Sequence, residues 1–553
     1  MLLDRFLPRS EFDSYEDFKQ NYTINVPESF NFGFDVVDAW AQIDDNKPAL
    51  VWCDDHGGER SFSFGDISRL SNKAANLFKS LGVKKGDVVM MVLRRRFEYW
   101  ICATALCKLG AIAIPGSLLL TSKDIKYRSK SAEIKMVICV DDEFVISQMD
   151  DATAGETTIE NKIIVDGNRD GWLNFDEQME NQPDTYPRPT GEEATKNEDL
   201  MLIYFTSGTT GMPKMVRHDF THPLGHIVTA KYWQQVQDGK LHMSVSDSGW
   251  AKFGWGKIYG QWICGAVIFA YDMDKFVPAN LLAMVEKYKV TTFCCPPTMY
   301  RFMLLEDLSK YDLSSITHCC NAGEPLNAEV FKKWYDATGL LLTEGFGQSE
   351  SSVLIANFPW FEPHPGSMGK PSPLYDIDIL DNDGNPCPDG EEGRIVVLNL
   401  NKKWPLGLFT GYYMDDEMTN AAMGDGSYDT GDVAWRDSDG YMWFVGRTDD
   451  VIKCSGYRIG PFEVESALLE HDAVIECAIT AAPDPVRGQV VKATVILKDG
   501  YDPSDELTKE LQNHVKRVTA PYKYPRIVEF VKELPKTISG KIKRAQIRNE
   551  DAE

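Results

Sequence analysis

Positive charge is scarce. The 553-residue chain carries 58 Lys and Arg against 83 Asp and Glu, a net charge of −25. It lacks the positive field by which a protein grips DNA or RNA regardless of sequence, so an anionic ligand would need a local basic pocket. Long apolar runs are missing as well. The most apolar stretch, Tyr259–Tyr271, is broken by Gln261 and is shorter than the ~18 residues a membrane span requires. The N-terminal MLLDRFLPRSEFD turns acidic early and has no apolar core of the kind that marks a secretory signal. The twelve cysteines include two adjacent pairs, Cys294–Cys295 and Cys319–Cys320, but no CxxC, a spacing that suits neither a zinc site nor a disulfide framework. These absences predict a reduced, soluble, cytoplasmic protein that binds small molecules, with no nucleic acid and no integral membrane span. At about 150 residues per domain, the length calls for more than one unit.

What is present alternates between helix and strand. Ile67, Leu70, Ala74, Leu77 and Leu81 recur at helical spacing, and Gly82 follows where a left-handed cap would sit. Val88–Leu93 is a short apolar run that suits a strand buried on both faces, and a helix is predicted over Phe97–Leu109 before Gly110 and a second run, Ala111–Pro115. Met136–Val140, Lys162–Val165 and Leu200–Phe205 extend the pattern, which is that of a parallel α/β sheet. Asp166–Asp199, rich in Asn, Asp, Glu, Gly and Pro, is expected to be a surface excursion. Near the C-terminus the charge changes sign: Lys516–Arg548 holds ten basic side chains against Glu529 and Glu533. In so acidic a chain, such a segment would steer a phosphorylated ligand, and a break near Asp449 suggests a small C-terminal domain.

The most telling segment is YFTSGTTGMPK, Tyr204–Lys214. A strand-like run stops at hydroxyls and glycines. Gly208 and Gly211 let backbone approach phosphates, while successive N–H groups and the hydroxyls of Thr206, Ser207, Thr209 and Thr210 can donate to them. It is not a Walker A loop, because the glycines are three apart and Gly211 precedes Met212-Pro213 instead of Lys-Ser/Thr.

This string resembles the phosphate-binding loop of the AMP-forming acyl-CoA synthetases of the adenylate-forming superfamily. Further motifs of that family follow in order: AGEPL at Ala322–Leu326, EGFGQSE at Glu344–Glu350, YDTGD at Tyr428–Asp432, GRTDDVIKCSGYRIGP at Gly446–Pro461 and PKTISGK at Pro535–Lys541. SDSGWAKFGW, Ser246–Trp255, is most similar to the medium-chain members. The resemblance implies an α/β protein: a large N-terminal domain of several subdomains, residues 1–448, and a small mobile α+β domain, residues 449–553.

The resemblance also implies roles. Lys541 would be the adenylation lysine, bridging substrate carboxylate and α-phosphate. Glu350, with Thr206, would hold Mg²⁺ on the triphosphate, and both count as catalytic. The phosphates of ATP would lie on Thr206–Gly211 and Lys214. Gly323, Glu324 and Pro325 would wall the adenine together with the Gly345-Phe346 segment, and Glu344, Gly347, Gln348 and Ser349 would also bind the nucleotide. Asp432 and Arg447 would take the ribose, and Arg458 would lie near the phosphates. Asp449 would be the hinge, Ser455, Gly456 and Tyr457 would face CoA as co-substrate, and Arg487 and Tyr524 would meet its nucleotide.

For the acyl pocket the candidates are Trp250, Ala251, Lys252, Trp255 and Gly347. Acetate-specific relatives carry a tryptophan where Gly347 stands. Its absence predicts a deeper cavity and a poor response to acetate, with medium-chain, branched-chain and aromatic acids all open. The expected reaction forms acyl-adenylate from acid and ATP, then acyl-CoA. The alternatives are a stand-alone enzyme that loads a carrier-protein thiol, and a nucleotide-binding regulator without ligase activity. Homo-oligomerisation is left open.

Overall fold

A computed structural model describes residues 2–553 other than 207–212, 425, 455–456, 485–486, 537–540 and 551–553, with Tyr457 described by its backbone alone. The predicted first helix runs Phe64–Ser80. Ser63 and Asp66 close a reciprocal capping box at its start, and Gly82 just past its end has φ +89°. The next helix, Glu98–Leu109, stops at Gly110 with φ +78°. Strands Val88–Val92, Ile112–Pro115, Ile134–Val140, Asn161–Val165 and Leu200–Thr206 all join one seven-stranded sheet. Its pairings are parallel except at the edge, where Lys214–Asp219 folds back on Leu200–Thr206.

A nine-stranded sheet is parallel through Pro48–Asp54, Val267–Asp272, Leu241–Ser244, Thr292–Cys294, His318–Ala322 and Leu342–Gly347, with antiparallel strands at both edges. A four-stranded antiparallel sheet follows, Ile377–Leu380, Gly393–Val397, Tyr428–Arg436 and Met442–Arg447. One continuous apolar core joins these three sheets, drawing on Trp52, Met91, Tyr204, Cys294, Ile395 and Met442. The last sheet, with strands between Ile452 and Phe530, has a core of its own around Ile459, Leu468, Ile479, Val491 and Leu511. The large N-terminal and small C-terminal α/β units expected from the sequence are therefore both present.

The segment Asp166–Asp199 is not the bare excursion expected of it. It contributes a short strand, Leu173–Asn174, and a helix, Phe175–Glu180. Trp172, Phe175, Met179 and Tyr186 are all buried. Asn72 and Asn76 donate side-chain N–H bonds to the carbonyls of Asp184, Pro183 and Thr185. Its four buried apolar side chains are outnumbered by polar residues, so composition alone conceals its anchorage. Among the described residues, no helix is long and apolar enough to cross a membrane.

Candidate functional site

The glycine-rich loop lies outside the described residues over Ser207–Met212, but its two ends are fixed. Thr206 and Lys214 face each other as the last pair of an antiparallel ladder. The Lys214 ammonium lies 5.1 Å from the Tyr412 ring centroid. The Tyr412 hydroxyl donates to Glu350 Oε1 at 3.1 Å. Burial pushes the Glu350 carboxyl above its ordinary value, against the opposing pull of Tyr412, Lys214 and Arg447. A carboxylate, a hydroxyl and a lysine thus gather beside the loop from three separate stretches of chain.

Asp432 and Arg447 are brought together by register. Strands Tyr428–Arg436 and Met442–Arg447 form a hairpin in which the two residues are direct partners, with Arg447 Nη1 at 3.4 Å from Asp432 Oδ1. Gly431, next to Asp432 in the chain, has φ +69°, a backbone conformation that favours glycine, and a Cβ there would stand 2.8 Å from the movable Arg447 Nη2. Gln348 completes the cluster. Its amide donates to Asp432 Oδ2 at 2.5 Å and to Thr430 O at 2.8 Å, and accepts from the Tyr428 hydroxyl at 2.6 Å. Burial pushes Asp432 up to about 6, held back by Arg447, Gln348 and the charge of Lys541. Lys541 is exposed, yet its charge is felt at the buried carboxyl of the hairpin. Residues from three motifs therefore meet at Asp432, and the charge of a fourth acts on it.

Two faces diverge from the strand Leu342–Gly347. On one, Glu344 is buried and pushed up to about 8 by that burial, and its carboxyl accepts the Leu326 N–H at 3.1 Å. It thereby ties down the Gly323–Leu326 turn, a positioning contact the sequence did not reveal. Phe346 lies 6.2 Å from Phe444. Glu324 accepts from the Thr298 hydroxyl at 2.6 Å, and Gly323 has φ +102°. On the other face stand Gly345 and the aromatic group Trp233, Trp255 and His226, with ring separations of 5.8 Å and 6.4 Å.

The candidate acyl residues divide. Trp255 is buried in that aromatic group, and Ala251 is buried on the helix Ala251–Lys257 that Trp250 precedes. Lys252, on the same helix, reaches the end of a sheet strand, donating to Ala322 O at 2.7 Å. A Cβ on Gly347 would stand 2.8 Å from Ser352 O, so the backbone itself demands glycine there.

Sequence reasoning missed a run of histidines. His218 Nε2 is 2.7 Å from Ser349 O, its ring is 3.8 Å from that of His222, and His222 Nε2 is 3.0 Å from His226 Nε2. Burial lowers all three, His218 to about 4, so they pack as neutral rings behind the EGFGQSE segment. The spacing of four was a visible signal.

Beyond Arg447, Asp449 Oδ1 lies 3.9 Å from Arg447 Nε. The backbone N–H and hydroxyl of Thr448 both donate to Gly431 O at 3.0 Å. Asp450 takes ion pairs from Arg548 and, at 3.9 Å, Arg544. Ser455 and Gly456 fall outside the described residues, as does the side chain of Tyr457. Arg458 is exposed, and its charge acts on Glu392. The Arg487 N–H is held by Asp484 Oδ1 at 2.8 Å. Tyr524 lies under two cations, Lys516 at 4.1 Å and Arg526 at 4.8 Å from its ring centroid.

Comparison with known proteins agrees with this geometry. The AMP-binding enzyme family matches residues 37–413, and the AMP-binding enzyme C-terminal domain matches residues 463–541. The chain is 42% identical over 552 residues to the mitochondrial acyl-coenzyme A synthetase ACSM3 of Mus musculus, covering 98% of this chain and 94% of that one. It is 42% identical over 540 residues to mitochondrial ACSM5 of Homo sapiens, covering 95% and 91%. Among solved structures, the anthranilate CoA ligase AuaEII in complex with anthranoyl-AMP superposes with a TM-score of 0.87 at 30% identity, over 95% of this chain and 98% of that one. The mitochondrial relatives overturn the expectation of a cytoplasmic protein. A missing apolar signal core bears on the secretory route alone, because transit peptides are amphipathic. The chain belongs to the AMP-binding enzyme family, among its acyl-coenzyme A synthetases.

Proposed function

We propose that this chain uses ATP to activate a medium-chain, branched-chain or aromatic carboxylic acid and then passes the acyl group to CoA. In the first step a carboxylate oxygen attacks the α-phosphorus, and the bond to the β-phosphate oxygen breaks, releasing pyrophosphate. In the second, the CoA sulfur attacks the acyl carbon, the bond to AMP breaks, and the thiol proton leaves to solvent. Every reactant of the first step is anionic, so the chain's contribution is to neutralise charge and hold the groups in line.

The observation that carries this reading is the buried hairpin pair of Asp432 and Arg447, with the Gln348 amide donating to Asp432. Asp432 accepts both ribose hydroxyls, oriented by Gln348 and Arg447. Lys541 bridges the substrate carboxylate and the α-phosphate. Thr206–Gly211 and Lys214 bind the phosphates, and Arg458 serves near them. Gly323–Pro325 and the Gly345-Phe346 segment wall the adenine, with Glu344, Gly347, Gln348 and Ser349 also on the nucleotide. Trp250, Ala251, Lys252, Trp255 and Gly347 border the acyl group.

The half-buried Glu350 carboxylate, pushed up by its burial, and the Thr206 hydroxyl are oxygen donors of the kind that suits a hard cation. Glu350 and Thr206 would hold Mg²⁺, which when bound supplies charge neutralisation on the triphosphate. For the second step, the unit from Asp449 onward turns about that residue and brings Ser455–Tyr457 to the site, with Arg487 and Tyr524 on the CoA nucleotide. Residues 1–448 and 449–553 are then the two moving bodies.

Pyrophosphate–ATP exchange over a panel of acids without CoA, followed by thioester formation with CoA, tests the reading. Lys541→Ala should lower exchange by at least about a hundredfold, the scale for losing one charge-stabilising donor, yet still convert supplied acyl-adenylate to thioester. Loss of both steps would contradict the division of labour. Exchange without thioester in the unmodified protein would favour a carrier-loading enzyme.

A further inference from the structure

The strand Leu200–Thr206 turns successive side chains to opposite faces of its sheet. Thr206 and its ladder partner Lys214 lie on one face, where the Lys214 ammonium meets the Tyr412 ring. Phe205 lies on the other, in an apolar core shared with Val92, Val137 and Ile203. The helix Ser122–Ala132 joins that core through Ile125 and Ala132. It touches both strands at the end of the ladder. The Tyr127 hydroxyl donates to Pro213 O at 3.4 Å, and the Arg128 guanidinium lies 4.5 Å from the Phe205 ring centroid.

Arg128 has no counter-charge there. Elsewhere Arg96, Arg394 and Arg436 hold carboxylates at 2.8, 2.6 and 2.8 Å. Arg128 forms no ion pair among the described residues, and its Nε is buried without a hydrogen-bond partner. Asp124, one helical turn earlier, spends Oδ2 on the N–H and hydroxyl of Thr121. Residues 207–212, between the ladder strands, include no acidic side chain. Burial lowers the guanidinium to about 10, against the pull of Asp124 and Tyr127, so it stays charged at neutral pH. A half-buried cation without a partner weakens a fold, and this one stands in a chain of net charge −25.

We propose that Arg128 is a phosphate-binding residue whose counter-charge is a phosphoryl group of a co-substrate, either the triphosphate of ATP with the pyrophosphate it releases, or a phosphate of CoA. The planar fork of a guanidinium fits two oxygens of one phosphoryl group, and the Phe205 ring keeps it in place until that group arrives. Lys214 supplies positive charge from one face of the sheet and Arg128 from the other, so an anion at the end of the ladder is met from both sides. The proposal deepens the acyl-CoA synthetase reading above and rests on it.

The test compares the wild-type chain with Arg128→Met and Arg128→Lys in acid-dependent pyrophosphate–ATP exchange, and in thioester formation from supplied acyl-adenylate with CoA varied. Losing a charged hydrogen-bond partner should raise the affected KM about tenfold or more in Arg128→Met, with the KM for the acid unmoved. Arg128→Lys, which keeps the charge without the fork, should show a smaller rise and serves if the methionine variant does not fold. A higher KM for ATP and pyrophosphate assigns Arg128 to the triphosphate, and a higher KM for CoA alone assigns it to CoA. A second readout needs no turnover. Unliganded Arg128→Met should melt no lower than wild type, because an unpaired charge has gone, yet lose most of the rise in Tm that pyrophosphate or CoA, added singly, gives the wild-type chain. Wild-type KM values for ATP, pyrophosphate and CoA in a folded variant would overturn the proposal. A lower Tm with every KM unchanged would overturn it equally, because that is the behaviour of an arginine that merely packs on Phe205. A wild-type chain that exchanges with no acid would instead refute the acid-activation reading, and the melting shifts would still report on Arg128.

Discussion

Replacing Gln348 by alanine should move the acidic limb of activity towards higher pH. The Gln348 amide is the only side-chain N–H that donates to Asp432 at 2.5 Å among the described hydrogen bonds, and burial already pushes that carboxyl up to about 6. A hydrogen bond to a charged group contributes about 1.5–3 kcal/mol, and one pKa unit corresponds to about 1.4 kcal/mol. The bond stabilises the ionised form, so losing it raises the pKa further, by roughly one to two units. The ionised carboxylate is the form that accepts two ribose hydroxyls. Measured as kcat/KM for ATP against pH, the wild-type limb should lie near 6 and that of Gln348→Ala one to two units higher. Near pH 6.5 the variant should be down by about tenfold, with recovery in alkali. Tyr428→Phe, which touches only the amide oxygen, should give a smaller shift. A limb at the same pH in both proteins, or a loss equal at every pH, would refute the assigned role of Asp432.

Asp432→Asn should abolish adenylation yet stabilise the unliganded protein, and more so at pH 7.5 than at pH 5. The folded pKa of Asp432 lies above its unfolded value, so its contribution to stability is greatest in acid and is lost as pH rises through about 6. Differential scanning calorimetry at the two pH values would check this, and an equal change in Tm at both would contradict it. Gly347→Ala should destabilise the fold, by an amount in the 1–3 kcal/mol range of overpacking, because its Cβ meets Ser352 O. Denaturant unfolding that leaves the midpoint unchanged would show that the strand can shift.

The elements that the sequence made plain are those held by local rules. The helix Phe64–Ser80 carries its own capping box and glycine stop, and the buried strands from Val88 to Thr206 are near-continuous runs of Val, Ile and Met. The motif residues Asp432, Arg447, Gln348 and Glu350 were named in advance, and the structure gathers them. Their supporting contacts were not legible, because each depends on residues far apart in the chain. Tyr412 reaches Glu350 across 62 positions, and Glu344 holds the Leu326 N–H across 18. Trp233 gave no signal at all. It packs on Gly345, and a glycine in sequence does not say which ring fills its place. The contact of Lys252 with Ala322 O, across 70 positions, was likewise not legible.

Thr448 closes twice on Gly431 O, so the last residue before Asp449 is bolted to the turn that presents Asp432. A swing beginning at Asp449 would leave that anchor behind. The reaction's AMP moiety could then stay clasped while the surroundings of its acyl end are exchanged, and the intermediate would have no need to leave one site to reach another. The tether makes the ribose grip a stationary axle, and the cost of changing partners falls on the exposed rim.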